Sequence, residues 1–467
     1  MNVLLVDTGA ANVASVICAL ERVGATVSRS RSPEAVARAE RVVLPGVGAF
    51  GAVRRRLPAS LASALVRRVR EGRPTLGICL GMQLFAQSSE ESPEVAGLGV
   101  VDSRASRFVG DVAIPQLGWN GVQPSPRSRW IRPGAAYFAN SYRLSSSPDD
   151  WIAAQTVHGE PFIAALERGD VLLCQFHPEL SGAWGLDLLA RWVDGRPAGG
   201  LSCPAPAALT RRIIPCLDIR AGRVVKGIRF QGLRDTGDPA ELAEAYADQG
   251  ADEICLLDVS ATPEGRSAAL ETVARVRARV AIPLTVGGGV QGVGDAQRLL
   301  DAGADKIGVN TAAVSEPALL SHMADRLGSQ CVVLAVDAAR CGASWEVVTR
   351  SGRQRTGRDA LAWCREGQRR GAGEILLTSW DRDGTRQGYD LALVRSVSAS
   401  VRVPVIASGG AASAADLAEA FDAGAGAALA ASVFHDGDMT VADVKRALSR
   451  RGIAVRTVET VRTGEFA

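Results

Sequence analysis

The sequence predicts two α/β units in one chain, the second a (β/α)8 barrel made of two similar halves. Three observations carry that expectation. The 467 residues exceed one compact domain at roughly 100–200 residues each. A stretch crowded with Gly, Pro and Ala between Trp192 and Arg211 shows neither helical nor strand periodicity and divides the chain. Beyond it, eight short apolar runs alternate with helical patterns, the count and roughly 250-residue length of a barrel.

In order along the chain, apolar runs at 3–6, 41–44, 75–78 and 171–176 alternate with helix-like segments such as 58–70. This predicts an α/β sheet of mixed direction over residues 1–195. Residues 196–210 are read as the linker and 211–467 as the barrel. Barrel strands are expected at 213–217, 253–258, 284–286, 306–309, 332–336, 375–378, 405–407 and 427–430. The barrel also repeats itself. Gly250-Ala-Asp-Glu-Ile-Cys-Leu matches Gly371-Ala-Gly-Glu-Ile-Leu-Leu, Val286-Gly-Gly-Gly-Val matches Ala407-Ser-Gly-Gly-Ala, and Gly303-Ala-Asp-Lys matches Gly424-Ala-Gly-Ala, each pair 121 residues apart. Three blocks in one register imply two half-barrels of four strands. A site near the axis is then nearly two-fold symmetric, and its ligand has two similar ends.

Composition narrows the function classes. With 47% hydrophobic and 22% charged residues the chain is ordinary globular protein, neither disordered nor fibrous. Fifty-three Lys and Arg against 50 Asp and Glu leave no basic stripe for nucleic acid or a membrane surface. Nine scattered cysteines read as buried apolar residues plus a reactive thiol rather than a disulfide framework. The segment Met1 to Asp7 reads as a strand and not a signal peptide, and no apolar run reaches the ~18 residues of a membrane span. A cytoplasmic protein is expected, with no motif for a metal or redox cofactor.

In the barrel, Gly287-Gly288-Gly289 and Ser408-Gly409-Gly410 lie where strands give way to βα loops. Backbone N–H groups and helix N-termini there bind phosphate, although glycine also serves tight turns. The next strand of each half ends in Asn310-Thr311 and Ala431-Ser432, able to complete each cradle, so a substrate with two phosphates is expected. Asp218 and Asp337 end the first and fifth strands and face each other across the mouth. They suit general acid and base work, or else cap the next helices. Asp383, in Thr378-Ser-Trp-Asp-Arg-Asp383-Gly384, reads as a ligand or loop-shaping residue, and Lys226 as a phosphate contact or a solvated charge. Arg212, Glu253, Lys306 and Glu374 sit at strand starts. There they face solvent or form a ring closing the barrel floor.

In the first half, Gly77-Ile-Cys79-Leu-Gly81 follows a strand and precedes a helical pattern at 82–86. It reads as a nucleophile elbow, whose glycines allow the strained turn and whose helix favours the thiolate; a buried structural cysteine is the alternative. The base must come from His158, His177, His322 or His435. His177 lies at a strand end in Cys174-Gln-Phe-His177-Pro-Glu179, where Glu179 can orient the ring. Gly46 and Val47, after another strand, are placed to form the oxyanion hole.

Arg212 to Arg234, Thr285-Val-Gly-Gly-Gly, Asn310-Thr-Ala-Ala-Val and Leu377-Thr-Ser-Trp-Asp-Arg-Asp-Gly-Thr resemble the cyclase subunits of imidazole glycerol phosphate synthases, in histidine biosynthesis. Asp7-Thr-Gly-Ala-Ala-Asn12, Pro45-Gly-Val-Gly-Ala-Phe, Gly118-Trp-Asn120 and Gln175-Phe-His-Pro-Glu, with the Cys79 elbow, resemble class I glutamine amidotransferases, and among them the glutaminase subunits of the same synthases. The resemblance implies that Asp218 and Asp337 are the catalytic pair and that the four floor charges gate ammonia. It also implies that ammonia from glutamine converts the bis-phosphorylated ribulosyl formimino aminoimidazole carboxamide ribonucleotide to imidazole glycerol phosphate and aminoimidazole carboxamide ribonucleotide, without a cofactor. The two domains then partner in cis, with Asn12, Leu180, Asp305 and Gln330 at their joint.

Several residues depart from the families' pattern. Gln116 and Asn140 stand where histidines are usual, Trp380 stands where a smaller apolar residue is usual, and Leu180 replaces a basic residue that pairs with the counterpart of Asp305. Altered coupling between the sites is the expectation from Leu180. Amination of another bis-phosphate, and a structural, uncoupled glutaminase domain beside an ammonia-dependent cyclase, are the alternative readings.

Overall fold

Two large sheets organise the chain, one open and one closed. The structure, a computed structural model, describes residues 1–9, 13–228, 231–259, 265–350, 352 and 354–457, without the side chains of 226–228, 231–235 and 265–269. The open sheet has nine strands, in the order Thr26–Ser30, Asn2–Val6, Arg41–Leu44, Thr75–Ile78, Val171–Cys174, Glu160–Arg168, Ile152–His158, Gln116–Pro124 and Gly134–Asn140. The first five run parallel and the others pair antiparallel, the mixed direction expected. Side chains alternate between its two faces: Leu5, Val43, Leu76 and Leu172 enter one apolar layer, and Leu4, Val42, Leu44 and Leu173 the other.

The closed sheet is a parallel barrel of Arg212–Arg220, Ile254–Asp258, Leu284–Gly287, Lys306–Val309, Val332–Cys341, Glu374–Ser379, Val405–Ser408 and Ala427–Ala430. Pairing of the first strand with the last completes it. Strands one and five overrun the barrel wall and fold back into hairpins, Arg223–Ile228 with Gln231–Gly237 and Ser344–Thr349 with Gln354–Asp359, so the half-barrel repeat extends to its loops. Ile214, Cys216, Val333, Leu376 and Ile406 fill the lumen.

Several boundaries differ from expectation: strands one and five run on to Arg220 and Cys341, and two shifts lie beside Cys79 and His177. The helix of the elbow is Leu80–Leu84, not 82–86, because Ala86 begins a strand paired with Val101–Arg107. The strand begun at Val171 ends at Cys174, since Gln175 and Phe176 already turn toward His177. Among the described residues no helix is long and apolar enough to cross a membrane.

Residues 196–210 carry no helix or strand and lie along the N-terminal domain. Arg132 donates to the carbonyls of Gly199 (2.7 Å) and Pro197 (2.9 Å), Cys203 N donates to Pro133 O at 3.0 Å, and Thr210 N to Trp119 O at 2.9 Å. At the joint, Leu117, Trp119, Tyr137, Ala139 and Leu180 belong to the same apolar cluster as the barrel. Trp119 Nε1 donates to Asp252 O (2.9 Å), Gly182 N to Ala281 O (2.9 Å), Ile114 N to Arg402 O (2.9 Å) and Arg22 to Ala278 O (2.7 Å). The antiparallel edge of the open sheet thereby sits against the end of the barrel where its strands begin.

Candidate active site

Strand Thr75–Ile78 delivers Cys79 to its helix with φ 51° and ψ −110°, a conformation that costs a non-glycine residue about 1–3 kcal/mol. Close backbone packing holds it there. A Cβ on Gly81 would stand 2.1 Å from Leu44 O, and one on Gly46 2.1 Å from Gly81 N, so the loop bearing Gly46 and Val47 lies directly against the elbow. The thiol is buried, with Gln175 Nε2 donating to Sγ at 3.6 Å.

His177 Nδ1 lies 2.8 Å from Glu179 Oε1, and the ring also neighbours the Cys79 thiol. Burial opposes charge on this imidazole, but Cys79 and Glu179 outweigh it and hold its pKa well above the ordinary histidine value. The remaining histidines are elsewhere. His158 bonds Ala113 O at 2.9 Å, His435 bridges Tyr246 Oη (2.6 Å) and Cys216 O (2.8 Å), and His322 is exposed.

Beyond the triad lies the barrel floor. Arg212 Nη1 meets Glu253 Oε2 at 2.8 Å, Lys306 Nζ meets Glu253 Oε1 at 2.7 Å and Glu374 Oε2 at 2.5 Å, and Arg212 closes the ring on Glu374. All four are at most 2% exposed. Burial works against the Arg212 charge, yet Glu374 and Glu253 hold its pKa above the usual value. Burial likewise works against ionised Glu374, and Arg212 and Lys306 bring its pKa below the usual carboxylate range.

Tyr137, absent from the sequence reading, belongs to the apolar cluster shared with the barrel; its carbonyl accepts from His177 N at 2.9 Å and its ring centroid lies 6.5 Å from that of His177. Burial first, and then Glu253, push its hydroxyl pKa well up. Gly118 lies beneath Arg212, whose Cδ would be 3.5 Å from an added Cβ.

At the joint, Leu180 is buried in the apolar cluster shared with the barrel. Asp305 is instead paired with Arg277 of the barrel itself and accepts from Leu284 N at 2.8 Å. Gln330 stands half-buried before strand five and makes no side-chain hydrogen bond across the joint among the described residues. Asn12 lies outside the described residues.

At the mouth is a cavity of about 770 Å³. Asp218, Asp337, Gly288, Gly289, Asn310, Thr311, Thr378, Asp383, Gly384, Ser408, Gly409, Gly410, Ala431 and Ser432 all line it. Lys226 belongs to the first hairpin, and its side chain is outside those described. The two cradles are equivalent: a Cβ on Gly288 would strike Asp258 O at 2.1 Å, and one on Gly409 would approach Ser379 O at 2.9 Å. Both glycines have left-handed φ (95° and 91°), so larger residues are excluded and backbone N–H groups stay accessible.

Burial, followed by the charge of Asp383, pushes Asp218 and Asp337 each up to about 7. Asn310 Nδ2 donates to Asp337 at 2.9 Å and the Cys216 thiol approaches Asp218 at 3.8 Å. Carboxyls balanced there can give or take protons at neutral pH. Arg350, Arg386, Trp380 and His435 also line the cavity. The two arginines went unrecognised because they occupy loops, where no periodicity marks direction.

Residues 4–192 match the glutamine amidotransferase class-I family, and residues 212–440 the histidine biosynthesis protein family. The chain is 55% identical over 251 residues to the imidazole glycerol phosphate synthase subunit HisF of Hyphomonas neptunium, covering 54% of this chain and 100% of that protein.

Proposed function

The chain belongs to the imidazole glycerol phosphate synthase family of histidine biosynthesis, with a class I glutamine amidotransferase domain and a HisF-like cyclase domain in one polypeptide, and we propose that the residues described above run its two half-reactions in series. The observation that supports this reading is the buried ring of Arg212, Glu253, Lys306 and Glu374, which lies at the barrel end facing the N-terminal domain, with Gly118 packed against Arg212.

Cys79 Sγ attacks the side-chain amide carbon of glutamine while Gly46 and Val47 present N–H groups to the developing oxyanion. His177, oriented by Glu179, passes a proton to the departing ammonia. Water then hydrolyses the thioester to glutamate. Ammonia crosses the ring and travels up the lumen to the bis-phosphorylated ribulosyl formimino aminoimidazole carboxamide ribonucleotide, whose phosphates rest in the Gly288–Thr311 and Ser408–Ser432 cradles. Asp218 and Asp337 move protons on its two sides as imidazole glycerol phosphate and aminoimidazole carboxamide ribonucleotide form. We place this chemistry in the cytoplasm, with small-molecule substrates and neither nucleic acid nor membrane as partner.

The test is formation of imidazole glycerol phosphate with glutamine or an ammonium salt as nitrogen source. Cys79→Ala should lose glutamine-driven turnover by about a thousandfold or more and keep the ammonium-driven reaction within about twofold. Ammonium-driven turnover without glutamine-driven turnover in the unmutated chain would favour the uncoupled alternative.

A further inference from the structure

Among the described residues two guanidinium groups line the cavity mouth, and they are not equivalent. Arg386 is neutralised by Asp436, 3.8 Å away, and by Asp438. Arg350 is exposed and makes no ion pair among the described residues. It stands at the end of the hairpin strand Ser344–Thr349, and its backbone N donates to Thr311 Oγ1 at 3.4 Å. The cradle at Asn310–Thr311 therefore has an uncommitted cation beside it, whereas the cation near the other cradle already has carboxylate partners.

Arg350 and Gly352 are held in a demanding geometry. Arg350 has φ 53° and Gly352 φ 73°, two left-handed residues within one turn. Gly352 lies on the Trp380 indole so closely that a Cβ there would come within 2.1–2.4 Å of three ring atoms. Trp380 is itself fixed to strand five, its N donating to Ala338 O at 2.9 Å, and neighbouring Asp381 accepts from Arg340 N at 2.7 Å. Strained backbone persists where the surroundings over-determine it, and the indole supplies that constraint.

We propose that Arg350 binds the substrate phosphate seated at Asn310–Thr311, and that Trp380, through Gly352, is the positioning residue that holds Arg350 there. Among the described residues the cradle otherwise offers neutral N–H and hydroxyl donors, and a guanidinium adds charge-assisted bonds of fork geometry suited to phosphate. The two ends of the bis-phosphate are then bound unequally, which gives the nearly symmetric barrel a preferred substrate orientation. This inference rests on the barrel's being the bis-phosphate cyclase proposed above.

Arg350→Gly removes the cation while suiting the left-handed backbone, and Arg350→Lys keeps the charge without the fork. With an ammonium salt as nitrogen source, Arg350→Gly should raise KM for the bis-phosphate about tenfold to a hundredfold, leave kcat within about threefold and flatten the salt dependence of KM. Lys should restore part of the loss. Gly352→Ala, which displaces the tip from Trp380, should raise KM in the same sense with Arg350 still present. Calorimetric titration with inorganic phosphate should show weakened binding in Arg350→Gly. Unchanged KM, or unchanged phosphate affinity, in Arg350→Gly would overturn the proposal while leaving the cyclase reading intact. Absence of product from the unmutated chain would instead break the cyclase reading, and the phosphate titration would still decide the role of Arg350.

Discussion

The two ends of the barrel use carboxylates to opposite effect. At the floor, Glu253 and Glu374 each meet both Arg212 and Lys306 in a closed, buried ring. At the mouth, Asp218 and Asp337 meet no cation among the described residues, only a thiol, an amide and the like charge of Asp383. Full pairing fixes the floor geometrically, and removal of one partner leaves its counterpart buried without it. Lack of pairing leaves the mouth carboxyls near neutrality in their proton balance, the condition for acid and base catalysis at physiological pH. The floor carboxylates are fully buried and the mouth pair half-buried in the cavity wall, and among the described residues only the floor pair meets cations.

The sharpest way to break this contrast is to neutralise the mouth. Asp218→Asn and Asp337→Asn should each reduce ammonium-driven cyclisation by about a hundredfold to ten-thousandfold with little change in melting temperature, as read by product formation and calorimetry. A variant that melted early but retained turnover would reverse the two roles. At the floor the expected loss is stability. Lys306→Met leaves Glu253 and Glu374 sharing one cation, at a cost of about 3–5 kcal/mol, and should lower the barrel's melting temperature by roughly 10 °C. The smallest effect concerns pH. The charge of Asp383 raises both mouth pKa values, so Asp383→Asn should let both carboxyls ionise at lower pH. The alkaline limb of the cyclase pH–rate profile should then move down by under about one unit, measured against the unmutated chain in the same ammonium buffers. An upward shift would exclude Asp383 as the neighbour responsible.

Much of both sites was legible because strand ends mark them. Cys79, His177, Asp218 and Asp337 each follow an apolar run whose length and direction are local properties, and the 121-residue repeat places the two glycine-rich cradles in register. The four floor charges were legible only as strand starts, where solvent exposure is the usual reading and only the family resemblance favoured a ring; that ring requires a closed barrel. Leu180 was legible as a lost charge, but its place in an apolar cluster, and the pairing of Asp305 with Arg277, depend on segments distant in the chain.

By itself the sequence determined the two-domain division, the strand order of the barrel, the elbow around Cys79 and the twin aspartates, because periodicity, turn chemistry and internal repetition act over short distances along the chain. Only the tertiary structure decided that the linker lies against Arg132 and Trp119, that Tyr137 bonds His177 from within the barrel's apolar cluster, and that Gly352 rests on Trp380 beside Thr311. Those contacts join residues far apart in sequence, and their energies depend on packing and burial that no local spacing encodes.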